Sequence, residues 1–93
     1  MYARLVRFST TPGSHSAAQA VADDLAPQIA QQPGCQSVTV FGDEESGEYG
    51  VFVLWESRDN AMAAAPMMRP QLDAHLAGHL SSPPDSRLFQ VMS

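Results

Sequence analysis

The sequence predicts an α+β fold: a four-stranded antiparallel sheet with two helical regions packed on one of its faces. Three observations predict it. Stretches with period-two alternation and stretches with three- and four-residue apolar spacing follow one another as strand, helix, strand, strand, helix, strand. Turn residues separate them, notably Pro12-Gly13, Pro33-Gly34 and Gly47. Finally, Tyr49 to Leu54 is apolar on both of its faces, so helices on one side leave the other side in need of cover. With right-handed crossovers, this βαββαβ order gives the ferredoxin-like arrangement.

Each element has a local cause. Tyr2 to Ser9 alternates as a first strand, and Thr10-Thr11-Pro12-Gly13 turns the chain. A helix is expected from Ser16, which with Gln19 has capping-box spacing. Ala17, Val21, Ala22, Leu25 and Ile29 form its buried stripe, Pro27 should bend it, and Gln31-Gln32-Pro33-Gly34 stops it. Cys35 to Phe41 is the second strand. The polar loop Asp43 to Glu48 leads into the third, which ends at Trp55. Ser57 reads as an N-cap with Asp59 in the first turn after it. The next helix is expected to run from Arg58 to about Ala65 and to end at Pro66. A further segment from about Met67 to Leu80 carries Pro70 in its first turn and the row Met68, Leu72, Leu76, Leu80. Ser81 to Asp85 is a loop, and Arg87 to Met92 a final strand.

At 93 residues the chain is one domain, 1–93. Its formal charge is −5, and its five cations are all Arg. No basic stripe is present to displace counterions from a phosphate backbone, which argues against a nucleic-acid partner. No apolar run approaches the roughly 20 residues of a membrane span, and Tyr2 to Phe8 reads as a strand rather than a leader. With a single cysteine, Cys35, the expected compartment is the cytoplasm. The uncovered sheet face, presenting residues such as Phe52 and Leu54 or their opposite-parity neighbours, calls for a homodimer packed sheet to sheet.

Several segments together resemble a known family. Tyr2-Ala3-Arg4 to Phe8, Pro12-Gly13, Gln32-Pro33-Gly34-Cys35 and Leu54-Trp55-Glu56-Ser57 fall in an order and spacing similar to antibiotic-biosynthesis-monooxygenase-like proteins of the dimeric α/β-barrel superfamily. The resemblance covers nearly the whole chain. It implies an α+β homodimer whose two sheets form a barrel, with a pocket between helices and sheet for a small hydrophobic or aromatic ligand. It also implies an activity: oxygenation of polycyclic aromatic substrates without flavin or metal, or, in another branch, oxidative haem degradation.

The candidate chemistry follows from a few side chains. A cofactor-free oxygenase needs a base that converts a phenolic substrate into an electron-rich anion, and a neutral His suits that task. His75 is the candidate catalytic base. His79, four residues on, is expected on the same helical face, where the pair could also approach a metal; no third ligand accompanies it, so no metal site is assigned. Trp55 is read first as a core ring, and with Met62, Met68, His79 and Arg7 as a candidate for the ligand site. Arg4 and Arg7 point to opposite faces, so at most one reaches the pocket. The haem-degrading branch carries a helical His near the position of His75, an Asn on the first strand and a second Trp in the helix. Here the strand has Arg4 and Arg7, and the helix Met62 to Ala65. The first reading is therefore a cofactor-free monooxygenase on an aromatic or quinone-like compound. The alternative is a non-catalytic module binding a hydrophobic ligand, with haem held through His75 as a further variant. His15 reads as a surface residue, and Cys35 as a small buried hydrophobe.

Overall fold

In the computed structural model, which describes Met1–Ser93, the elements are β1 (Tyr2–Ser9), α1 (His15–Ala20), a π-helical turn (Val21–Leu25), α2 (Ala26–Ala30), β2 (Cys35–Asp43), β3 (Glu48–Trp55), α3 (Arg58–Leu76) and β4 (Asp85–Gln90). The strands form one antiparallel sheet in the order β2-β3-β1-β4. The α+β architecture expected from the sequence is present, with the helices over one face.

Register sets what each face carries. β1 pairs with β3 through Arg4↔Val53, Val6↔Val51 and Phe8↔Tyr49, and with β4 through Arg4↔Leu88 and Val6↔Ser86. On β2, Val38 lies opposite Val53 and Val40 opposite Val51. These residues face the helices. Tyr49, Val51, Val53 and Trp55 are all buried there, with Trp55 wholly so. Intervening residues Leu5, Arg7, Phe41, Phe52, Leu54 and Phe89 face the other way. The hairpin is tight enough that a Cβ on Gly42 would collide with the Tyr49 ring on one face. On the other, a Cβ on Gly50 would collide with the Phe41 ring.

The first helical region differs locally from the expected single helix. Pro27 cannot donate to the carbonyl of Asp23, and its ring crowds that carbonyl. The chain answers with a wider turn just before it, in which the Ala26 N–H reaches the Val21 carbonyl five residues back. The stripe survives: Ala17, Ala18, Val21, Leu25 and Ile29 are all buried. Ser14, not Ser16, occupies the N-cap, and Gln19 bonds to Asp23 at 3.1 Å instead of closing a capping box.

In the second helical region, Pro66 ends nothing. α3 continues through both Pro66 and Pro70 to Leu76. Each proline removes one backbone donor, but both lie on the exposed side of the helix. The buried row Ala61, Ala64, Met68, Leu72 and Leu76 holds the opposite side on the sheet. Ser57 caps the helix as expected, accepting from the Asn60 N–H at 3.1 Å. Its far end comes earlier than expected. Gly78, with φ of 79°, turns the chain after Leu76, and His79 therefore lies beyond the helix. The last strand begins at Asp85 and ends at Gln90, two residues ahead of the expected span at each end. No helix is long and apolar enough to cross a membrane.

Candidate functional site

A cavity of about 240 Å³ lies between the helices and the covered face of the sheet. Its floor comes from Arg4 and Val6 of β1, Val51 of β3 and Ser86 of β4. Leu25 and Ile29 close it from the first helical region, and Ala65, Met68, Arg69 and Leu72 from α3. Seven of the ten lining residues are hydrophobic, leaving Arg4, Arg69 and Ser86 as the polar ones. An apolar chamber with a few convergent polar groups is the usual form of a small-molecule site. A cavity of about 150 Å³ admits benzene, so this one suits a flat molecule of roughly two fused rings.

The two arginines differ. Arg69 is paired along the helix with Asp73, Nε to Oδ1 at 3.2 Å, and both side chains are about half exposed. Such a pair contributes about 0–1 kcal/mol. Arg4 has no carboxylate within 4.0 Å. Its contacts are Nη1 donating to the Ser86 hydroxyl at 3.4 Å and Nη2 near the Met62 sulfur at 4.0 Å. Burial pulls its pKa below the usual guanidinium value, because a charge partly removed from water is disfavoured.

Of the residues singled out from the sequence, Met68 lines this cavity. Met62 sits beside Arg4 but is largely exposed. Trp55 is buried in the core, as its first reading has it, and its indole Nε1 has no hydrogen-bond partner. Arg7 is exposed on the opposite face of the sheet and cannot reach the cavity. The arginine that does is Arg4, one face away by strand parity. His75 is not among the lining residues. Its Nδ1 is 2.7 Å from the Gln71 carbonyl, and its Nε2 is 3.8 Å from Asp24 Oδ2 across the helix junction. His79, beyond the helix end, places Nδ1 3.1 Å from the Ser14 hydroxyl, while its carbonyl accepts from the Thr11 N–H at 2.8 Å. The two imidazoles thus share no helical face, and the cavity wall offers no imidazole to a haem. No three His, Cys, Asp or Glu side chains form a group able to hold a metal ion.

Other side chains also find unexpected partners. His15 is half-buried, with Nδ1 2.9 Å from the Tyr49 hydroxyl. Burial, reinforced by the charges of Glu44 and Asp43, raises the Tyr49 phenol above its ordinary pKa. Cys35 is half-buried, and burial raises its thiol pKa despite a contact to the Ser37 carbonyl at 3.8 Å.

Arg69, Ser86 and most of the apolar wall escaped the sequence reading. A signal for Arg4 was present: it shares its strand face with Tyr2, Val6 and Phe8, the greasier of the two, whereas Arg7 shares one with Ala3, Leu5 and Ser9.

Comparison with known proteins fits this geometry. Residues 1–65 match the family model of antibiotic biosynthesis monooxygenases. Among solved structures, the chain is similar to a monooxygenase of Streptomyces coelicolor in complex with nanaomycin D. The TM-score is 0.79 at 18% identity, covering 99% of this chain and 88% of that one. It is similar to SnoaB, a cofactor-independent oxygenase of Streptomyces nogalater, with TM-score 0.77, 21% identity and coverage of 99% and 93%. A protein of unknown function from Nitrosomonas europaea gives TM-score 0.84, 22% identity and coverage of 99% and 89%. At these identities the structures speak for the fold. No curated protein sequence matches the chain.

Proposed function

The chain belongs to the antibiotic biosynthesis monooxygenase family, and on that premise we propose that it is a cofactor-independent monooxygenase acting on a small aromatic or quinone-like compound. The observation that carries this reading is the apolar cavity of about 240 Å³ whose floor contains the unpaired guanidinium of Arg4. A phenolic substrate in such a chamber loses its proton more readily when a cation stands beside the oxygen. The resulting anion carries the electron density that dioxygen requires. For a naphthol with a free para C–H, one oxygen atom forms the new carbonyl. The other leaves as water with two substrate hydrogens, so the electrons come from the substrate. Val6, Val51, Leu25, Ile29 and Leu72 keep bulk water from the anion.

In this reading Arg4 holds the anion, and His75 takes no part in proton transfer. Two copies of the chain are proposed to join through the uncovered faces of their sheets, which leaves the cavity, on the helix side, open to ligand in each copy.

The test is oxygen uptake with hydroxynaphthalenes and hydroxyanthrones, corrected for the protein-free rate, with the product examined after reaction under ¹⁸O₂. One labelled atom per product molecule and a rate lowered by Arg4→Met are expected. Ligand binding without any oxygen consumption across the panel would leave a non-catalytic binding module instead. A rate that falls with His75→Ala would return the proton-transfer role to that residue.

A further inference from the structure

Arg4 is an anomaly in a chain with ten acidic and five basic residues. Carboxylates are abundant, yet none comes within 4.0 Å of it; Asp73 is engaged by Arg69 and Asp85 by Arg87, each within about 3.2 Å. A guanidinium carries five N–H donors in a planar fork. Two contacts, at 3.4 Å and 4.0 Å, use little of that capacity. Arg7 and Arg58 also lack an acidic partner, but both are exposed and solvated. Arg4 alone combines a missing counterion, partial burial and an apolar cavity next to the charge. The fork matches the two oxygens of a carboxylate better than the single oxygen of a phenolate. Ser86, opposite Val6 on β4, supplies a hydroxyl on the same floor that can donate to one of those oxygens.

We propose that the cavity selects aromatic acids: molecules of about two fused rings bearing a carboxylate, which seats on Arg4 beside the Ser86 hydroxyl. This deepens the monooxygenase reading and rests on the same cavity: with the reacting hydroxyl ortho to the carboxylate, the fork of Arg4 holds the acid group and stands beside the phenolic oxygen as well, and the binding itself needs no turnover. The ring system lies against Met68, Leu72 and Val51, and the acid group sets its orientation.

The experiment is a fluorescence titration at low salt with two isosteric probes, 2-naphthoate and its neutral amide. The folded protein should prefer the acid by about tenfold, a factor typical of one charge-assisted contact in a partly wet site. Arg4→Met should abolish that preference while leaving amide affinity within about twofold, and Arg4→Lys should restore part of it. Arg58→Met, which removes the same charge at the start of α3, should leave the preference intact and so separates local contact from general charge. Far-ultraviolet circular dichroism checks that each variant is folded. Equal affinity for the two probes, or a preference that survives Arg4→Met, overturns the inference and leaves the monooxygenase reading standing. Failure of both probes to bind overturns the inference and the cavity assignment beneath it.

Discussion

On β3, Val51, Val53 and Trp55 are at most 2% exposed, while Phe52 between them is 37% exposed. Phe41 and Phe89, on the same side as Phe52, reach 47% and 49%. Alternate residues of the same strands therefore carry similar apolar content into different surroundings. On the covered side the helices supply partners, and the space they leave is the cavity. On the open side no helix covers the phenylalanines, which meet only neighbouring residues of the sheet, as Phe41 does over Gly50. The difference shows that apolar content alone does not say which face is the core. Helix placement decides that, and the remaining face is the apolar one through which pairing of two copies is proposed.

The comparison is sharpened most by truncating the deepest ring. Trp55→Ala should cost about 3–5 kcal/mol of stability in urea denaturation followed by circular dichroism, because it opens a void that the strand-helix corner cannot fill. That loss should be the same at every protein concentration. Phe52→Ala, three residues away on the other face, should instead produce a loss relative to wild type that grows with protein concentration, since its effect passes through association. Equal, concentration-independent costs at both positions would erase the distinction between the faces.

A smaller effect is expected at the cavity itself. Ala65→Phe places a ring where the ligand is proposed to lie and should lower kcat/KM by about tenfold or more, equivalent to about 1.4 kcal/mol in the barrier. Its stability should change less than that of Trp55→Ala. An unchanged rate would move the reaction elsewhere.

The smallest effect is a pH dependence at the edge of the covered face. The Tyr49 phenol is held above its ordinary value of 10.0 by burial and then by Glu44 and Asp43. A raised pKa in the folded state favours the neutral form there. Its contribution is complete below the unfolded value of about 10 and is lost as pH rises through the folded one. Denaturation midpoints should fall more steeply above pH 10 for the wild type than for Tyr49→Phe. Parallel curves would show that the phenol is not coupled to folding.

Much of this architecture is legible in the residues. The alternation of Tyr2 to Ser9, the hairpin around Gly47, the Ser57 cap and the Val21, Leu25, Ile29 stripe all appear where spacing puts them. What misled was proline. Pro66 reads as a stop because it removes a donor, yet its exposed position lets the buried row of α3 carry the helix past it. Gly78 gave the true end, and with it the separation of His75 from His79. The site was less legible for a geometric reason. Parity shows that Arg4 and Arg7 face opposite ways, and the greasier residues beside Arg4 favour it, but only tertiary packing places that face under the helices and so at the cavity. Ser86 and Arg69 join it only through the pairing of β4 and the lie of α3, which are long-range facts.

The role assigned to the open face is tested most directly by sedimentation equilibrium of the wild type and Phe52→Asp over a micromolar dilution series. Two copies of the 10.0 kDa chain should travel together in the wild type, and Phe52→Asp should release single chains. A wild-type particle of one chain throughout would contradict the pairing of the uncovered faces.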